Sequence, residues 1–168
     1  GYALQPGLLY DINDKWSIGL AYQTTTIYEK FGPYGDVIPD FELPPEFRVG
    51  VAWHVTPKLD LTLDYKWIGW EKVKLFERDP TEGGFGYVDQ HTIGAGVQYA
   101  FRPNIILRGG VNYGRSPVRE DVVFANSLAP TVYQTSLASG AEYRFGNDKH
   151  KQSIATSLVY KLGHTEKD

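Results

Sequence analysis

The sequence predicts an all-β fold, an antiparallel β-barrel that crosses a membrane, and three observations support this fold class. Large apolar residues recur at every second position along most of the chain, which is the period of a strand. Aromatic residues gather at the strand ends beside the short connections. Short and long connections alternate strictly, as in barrels that have brief turns on one side of the membrane and extended loops on the other.

The composition agrees with strands and excludes several function classes. The 168 residues include 18 Gly, 12 Tyr and no Cys, and 14% are aromatic. The net charge is −3, and Lys and Arg are scattered, so no basic surface for nucleic acid is expected. The absence of Cys excludes disulfides and thiol catalysis. No window approaches the roughly 18 apolar residues of a spanning helix.

Eight runs of alternating residues define the predicted strands of a single barrel region over residues 1–168. At about 10–14 residues, most are longer than ordinary globular strands and long enough to cross a bilayer at a tilt. The runs lie at residues 1–12, 15–28, 46–55, 59–76, 89–101, 105–115, 134–145 and 152–163.

In each run one face carries large apolar side chains, here called the greasy face, and the opposite face carries small or polar side chains. Leu20, Val51, Leu63 and Val97 belong to the greasy set. A soluble barrel or sandwich would turn this set inward to a dry core. The aromatic ends, the alternating loop lengths and the long strands favour the opposite orientation, with the greasy face toward lipid. The end positions are Tyr10, Trp16, Trp53, Tyr99, Phe101, Tyr143 and Phe145.

Small residues share the inward face of the predicted barrel. Glycine inside a strand often marks the close approach of another group, so the lumen has room for a plug or a ligand. Relief of strand curvature is an equally open explanation. The small positions are Gly19, Ala21, Gly50, Ala52, Gly94, Gly96, Gly110, Ala138 and Gly140.

The sequence supplies no arrangement for catalysis, metal binding or a cofactor, so we expect no enzyme. There is no G-x-S-x-G motif, and the four His residues are far apart in sequence. Asp60 and Asp64 lie roughly 13 Å apart along one strand, which is too far for a paired acid and base. The glycine-rich segment at 83–86 is not followed by the Lys of a phosphate-binding loop, so we predict a flexible loop tip there.

Six segments, in this order and spacing, resemble the outer-membrane transporters of long-chain fatty acids and aromatic hydrocarbons. The match covers nearly the whole chain, and its specificity comes from order and spacing rather than from a chemical signature. The segments are residues 1–16, 43–50, 64–70, 89–96, 112–118 and 141–145.

The resemblance implies a fourteen-stranded barrel in the bacterial outer membrane, with an N-terminal hatch in its lumen. The present strands would be the sixth to the thirteenth, so the hatch and the remaining strands would lie outside this chain. The topology gives a separate argument, because the first strand starts and the last strand ends on the long-loop side. Single-chain barrels of even strand number normally keep both termini on the short-turn side. We therefore hypothesise a piece of a larger barrel.

The resemblance implies passive uptake of long-chain fatty acids or other hydrophobic compounds. A structural or adhesion barrel and a soluble lipid-binding barrel are the alternatives. Expected partners are membrane lipid, lipopolysaccharide or detergent, a hydrophobic small molecule and the missing strands and hatch.

The candidate ligand-binding residues lie on the inward face. An amphipathic carboxylate needs a cation for its head group and apolar surface for its chain. The cations could instead form ion pairs in the lumen with Asp64 and Glu142. Two long loops, at residues 31–45 and 118–133, could form an external capture groove or simply pack together. The candidates are Arg48, Lys66, Arg108 and Arg144 for the head group, with Glu142 beside them, and Ile68, Trp70, Ile106 and Val159 for the apolar wall.

Overall fold

A computed structural model describes residues 1–29, 41–122, 133–147 and 150–163 of the chain. Eight long antiparallel strands form one sheet, and two short strands, β3 and β4, pair separately in the long connection between β2 and β5. The strands are β1 (Gly7–Asn13), β2 (Trp16–Gln23), β3 (Thr26–Ile27), β4 (Glu42–Leu43), β5 (Glu46–Thr56), β6 (Leu59–Ile68), β7 (Gln90–Arg102), β8 (Ile105–Gly114), β9 (Tyr133–Asn147) and β10 (His150–Gly163).

The large sheet is a curved wall rather than a closed barrel. Its order is β1-β2-β5-β6-β7-β8-β9-β10, so each strand pairs with its neighbour in the chain apart from the small β3-β4 excursion. Within the described residues, β1 pairs only with β2 and β10 only with β9, which leaves one edge of each open. The predicted all-β, antiparallel fold class is confirmed.

Three predicted strands differ clearly from the structure in their bounds. The predicted run at 15–28 leaves the large sheet after Gln23, and Thr26–Ile27 form the separate short strand β3. The predicted run at 59–76 ends as a strand at Ile68, because the chain turns at Gly69 into a 3-10 turn at Trp70–Lys72 and then the helix α1 (Lys74–Glu77). In the predicted run at 1–12, residues before Gly7 lie outside the sheet, and Tyr2 forms an isolated bridge with Ile27. Alternation alone did not reveal these turns.

The greasy face of the sheet is exposed and has no second layer against it. Leu20, Leu63 and Val97 are 37%, 59% and 39% exposed, although a soluble core would bury them. Small and polar side chains occupy the opposite, concave face. The predicted orientation, greasy side outward, is therefore confirmed. None of the helices in the described residues is long and apolar enough to span a membrane.

Aromatic side chains mark the short-turn end of the outward face. The rings of Trp16 and Trp53, opposite each other on β2 and β5, stack with centroids 5.4 Å apart. Tyr143 and Phe145 stack at 6.0 Å on β9. Because amphipathic rings favour the membrane–water interface, this row marks one boundary of the apolar band.

Most buried apolar residues lie not in the sheet but in a small lobe at its long-loop end. Residues 70–88 and 117–122 form this rim lobe. Trp70 packs edge-on against Phe76 at 4.8 Å and against Tyr87 at 5.6 Å. The predicted flexible tip at 83–86 is part of it, since Phe85 packs against the core and its amide donates to the Leu75 carbonyl at 3.1 Å. The lobe core is Val73, Phe76, Tyr87, Val118 and Val122.

Candidate functional site

The concave face of the sheet lines an open cavity of about 680 Å³. Strand register aligns glycines from adjacent strands there: Gly19 opposes Gly50, and Gly96 opposes Gly110. Without side chains at these positions, the backbone itself forms the floor. This is the lumen surface that the small inward residues predicted. The inward-facing lining is Leu9, Ser17, Gly19, Ala21, Arg48, Gly50, Ala52, Thr62, Asp64, Lys66, Thr92, Gly94, Gly96, Gly110, Asn112, Ser136 and Ala138.

The cations Arg48 and Lys66 and the carboxylate Asp64 lie together in the part of this cavity nearest the long loops. Arg48 on β5 lies opposite Lys66 on β6. The Arg48 guanidinium is bound by Glu46 on its own strand rather than by Asp64. Lys66 is half-buried and forms no ion pair within the described part of the chain. The Lys66 ammonium is therefore the cation of this cavity that remains available to a ligand.

At the short-turn end of the cavity, polar side chains from seven adjacent strands form one continuous chain of contacts across the concave face. We call this set the polar belt. Its members lie within a few residues of the short turns on strands β1, β2 and β5–β9. They are Asp11, Ser17, His54, Asp60, Gln98, Arg108, Glu142 and Arg144.

The first half of the polar belt links β1 to β6. The Ser17 hydroxyl donates to Asp11 Oδ1 at 2.5 Å and lies 3.4 Å from His54 Nε2. The Nδ1 of His54 lies 2.7 Å from Asp60 Oδ1. Because a carboxylate only accepts, Nδ1 carries the proton in this contact.

Ser17, His54 and Asp60 resemble the nucleophile, base and acid of a catalytic triad, but the Ser17 hydroxyl is not oriented for nucleophilic attack. The Ser17 proton is directed at Asp11, not at the His54 ring nitrogen. Ser17 also lies within a strand, between Asp11 and Ala52 in the ladder, so no free amides surround it as an oxyanion hole would require. The three residues act as members of the polar belt.

The second half of the polar belt neutralises two of the predicted head-group cations. Gln98 Nε2 donates to Asp60 Oδ2 at 3.0 Å, and Arg108 Nε donates to Gln98 Oε1 at 2.8 Å. Glu142 then accepts from Arg108 Nη2 at 2.5 Å and from Arg144 Nε at 2.7 Å. Arg108 and Arg144 therefore share one carboxylate. For these two cations the structure has the ion pairs that were the alternative to a free head-group site.

The predicted apolar wall residues are dispersed rather than assembled. Ile68 and Ile106 are buried at opposite ends of the sheet, and Trp70 belongs to the rim lobe, with its Nε1 donating to Gln90 Oε1 at 3.4 Å. Val159 is 56% exposed on the edge strand β10. Much of both proposed capture loops, at 30–40 and 123–132, lies outside the described residues.

Comparison with known proteins decides the family. The family model described as "Outer membrane protein transport protein (OMPP1/FadL/TodX)" matches residues 1–161. The chain belongs to this OMPP1/FadL/TodX family. Membership confirms the predicted family and outer-membrane location, and the family description names transport proteins rather than enzymes.

Curated relatives in the OMPP1/FadL/TodX family are distant and longer. Outer membrane protein P1 of Haemophilus influenzae is 24% identical over 165 residues, which cover 86% of this chain and 35% of that protein. The 47 kDa outer membrane protein of Pasteurella multocida is 22% identical, with 86% and 40% covered. The chain thus spans roughly two fifths or less of the length of these relatives.

Solved structures show the same fold. A Pseudomonas aeruginosa FadL homologue matches with a TM-score of 0.69 at 16% identity, covering 95% of this chain and 44% of that chain. The CymD monoaromatic hydrocarbon channel matches at 0.63 and 19% identity, covering 94% and 46%. The FadL-type fold is therefore that of a β-barrel of which the present wall is one part.

Sequence reasoning missed the polar belt as a unit, although a signal for it exists. Asp11, Ser17, His54 and Asp60 all have inward parity and all lie close to a short turn. Antiparallel hairpins bring such positions into one row. Spacing along one strand relates Asp60 only to Asp64, whereas its hydrogen-bond partners His54 and Gln98 are on β5 and β7.

Proposed function

We propose that this chain forms part of the wall of a channel for passive uptake of hydrophobic compounds across the outer membrane. The observation that carries the proposal is the glycine-floored cavity on the concave face of a sheet whose other face suits lipid. Cavities that hold small molecules are concave and largely apolar, with a few polar groups, as this one is. CymD, one structural neighbour, is described as a monoaromatic hydrocarbon channel.

The proposed channel needs more than the present strands. An edge strand exposes unpaired N–H and C=O groups, which hydrocarbon cannot satisfy. We therefore propose that further strands of the same protein, to a total of fourteen, close the wall between β10 and β1, and that an N-terminal hatch occupies the lumen. Phospholipid and lipopolysaccharide, or detergent after extraction, would cover the outward face.

Filling the cavity tests the proposed function. A Cβ at Gly94 would meet its nearest neighbour, the Val111 carbonyl oxygen, at an ordinary 3.7 Å, so Gly94→Leu places its side chain in the cavity without collision at Cβ. We expect affinity for a hydrophobic ligand to fall by about tenfold, which corresponds to about 1.4 kcal/mol. Uptake of a radiolabelled hydrocarbon by cells that express the full-length protein measures the effect.

Gly109→Leu is the matched control for Gly94→Leu. Gly109 pairs with Val97 on the outward face, and a Cβ there would meet the Val97 side chain at 3.5 Å. The same substitution should therefore leave uptake unchanged. Equal uptake by both variants, at equal amounts in the outer membrane, would favour the inert structural or adhesion barrel instead.

We further propose that long-chain fatty acids are among the compounds carried, with Lys66 as the head-group cation and Arg48 beside it. Support comes from the half-buried, unpaired Lys66 at the upper end of the cavity, whereas Glu142 engages Arg108 and Arg144. One charge-assisted hydrogen bond contributes about 1.5–3 kcal/mol. Lys66→Gln should therefore lower fatty-acid affinity by at least about tenfold.

Comparing fatty acid with neutral hydrocarbon in the Lys66→Gln variant separates the proposed head-group site from the proposed channel. Uptake of a neutral hydrocarbon should be unaffected, and the control Lys74→Gln, on the exposed surface of α1, should change neither ligand. Loss of fatty acid and hydrocarbon together would reject the head-group role of Lys66 but keep the channel. No loss of either ligand would reject the role of Lys66 as well.

A further inference from the structure

Three cations lie at the short-turn end of the sheet, one at each of the first three short connections. Lys15 and Lys58 end their turns, and Arg102 immediately precedes Pro103 in the third turn. We call these three residues the basic rim. All three are exposed, and within the described residues none forms an ion pair. Asp14 is the one acidic residue in these three connections.

Backbone hydrogen bonds hold the short turns in one row. The Lys15 carbonyl accepts from His54 N, and the Lys58 carbonyl accepts from Ala100 N, each at 2.8 Å. Successive turns are therefore two strands apart, roughly 10 Å at the usual spacing of strands. The chain presents a regular series of positive charges instead of three independent flexible ends.

The basic rim lies beside the aromatic row of the outward face, which sets its depth in the membrane. Trp16 directly follows Lys15 and stacks on Trp53. The Arg102 guanidinium lies 5.5 Å from the centre of the exposed Phe101 ring. Since aromatic rings favour the level of the lipid head groups, the charges of the basic rim lie at the level of the phosphates.

We propose that the basic rim binds the phosphate groups of anionic phospholipids in the leaflet on the short-turn side. Charge complementarity selects this occupant, because a zwitterionic head group brings its own cation to the phosphate and gains less from an added Lys or Arg. The site lies outside the lumen and does not depend on the proposed transport. A basic rim of this kind would give the wall a preferred lipid and a fixed depth.

Native mass spectrometry of the full-length protein in detergent tests the proposal. Phosphatidylglycerol should remain bound more than phosphatidylcholine at equal added concentration. The triple variant Lys15→Gln, Lys58→Gln, Arg102→Gln should lower phosphatidylglycerol retention by at least about fivefold, the change expected for the loss of one such cation at a membrane surface. High salt should have the same effect on the wild-type protein.

Three controls make the result decisive. Lys72→Gln, Lys74→Gln and Arg78→Gln together remove equal charge at the opposite end and should leave retention unchanged. Exchange of Lys for Arg and Arg for Lys at the basic rim keeps the charge and should keep the lipid. Inorganic phosphate at equal concentration should displace nothing. Equal retention of both lipids, equal loss in the opposite-end variant or displacement by phosphate would each overturn the proposal.

Discussion

Asp79 shows how a single carboxylate organises an exposed loop. Its Oδ1 accepts from Thr81 N at 3.0 Å and Thr81 Oγ1 at 2.8 Å, and Arg119 Nη2 donates to its Oδ2 at 3.0 Å. The backbone and hydroxyl hydrogen bonds from Thr81, more than the Arg119 charge, hold the pKa of Asp79 below its ordinary value of 3.8. Asp79 thereby connects the two halves of the rim lobe.

The lowered pKa of Asp79 predicts acid sensitivity of the rim lobe. When the folded pKa lies below the unfolded value, the stabilising contribution is present above the unfolded pKa and is lost as pH falls through the folded pKa. We therefore expect the lobe to loosen below about pH 3.8 and to hold its full contribution at neutral pH. Fluorescence of Trp70 against pH measures this, and Asp79→Asn should remove that step. An unchanged step in Asp79→Asn would contradict the assignment.

At the scale of elements, the rim lobe is a packed core formed by residues that the sequence predicted to be the end of a strand and parts of two long connections. Phe76→Ala removes a ring that contacts Trp70, Phe85 and Tyr87. We expect the lobe to lose about 3 kcal/mol of stability, the usual cost of removing a buried Phe. Amide hydrogen exchange of residues 73–88 should accelerate, while that of β6 and β7 should not.

Lys74→Ala is the matched control for Phe76→Ala, because Lys74 is exposed on the same short helix. Its exchange should remain as in the unmodified protein. Acceleration throughout the sheet in Phe76→Ala would show that lobe and wall unfold together and would contradict an independent lobe.

Alternation of apolar and polar residues predicted the strands but not the rim lobe. The reason is that the lobe depends on contacts between segments that are distant in sequence. Leu20, Val51 and Leu63 reveal their face from the spacing of their own strands, because side chains alternate along each strand. Trp70 lies within a run with the same spacing, yet it packs against Tyr87 from another segment. A contact between segments leaves no periodic trace in either one.

At the scale of the whole molecule, the polar belt joins seven strands through side chains as well as through the backbone. Its charged groups were recognised singly from the sequence, as head-group candidates and as isolated His and Asp residues. Their connection depends on the register of six strand pairings, which no single strand encodes. Glu142 is the member whose loss would leave two cations, Arg108 and Arg144, without their carboxylate.

Glu142→Gln should therefore lower the stability of the wall. The amide keeps the shape but has only one oxygen and no charge to offer the two guanidinium groups. We expect a lower midpoint of heat-induced unfolding of the full-length protein than for Glu71→Gln, which removes an exposed carboxylate at the rim lobe. Identical midpoints for the two variants would mean that the polar belt contributes nothing to stability.

The order of strands in the sheet bears on how the wall is built. Because spatial order follows chain order, each hairpin can dock on the one before it without threading or crossing. Each step pairs strands that follow one another in the large sheet along the chain, and loop-closure entropy grows only slowly with loop length, so the strands can pair one after another from one edge. A slip of one residue at any early step would turn every later apolar side chain toward the lumen. The register of the first hairpins therefore determines which face the side chains of all later strands occupy.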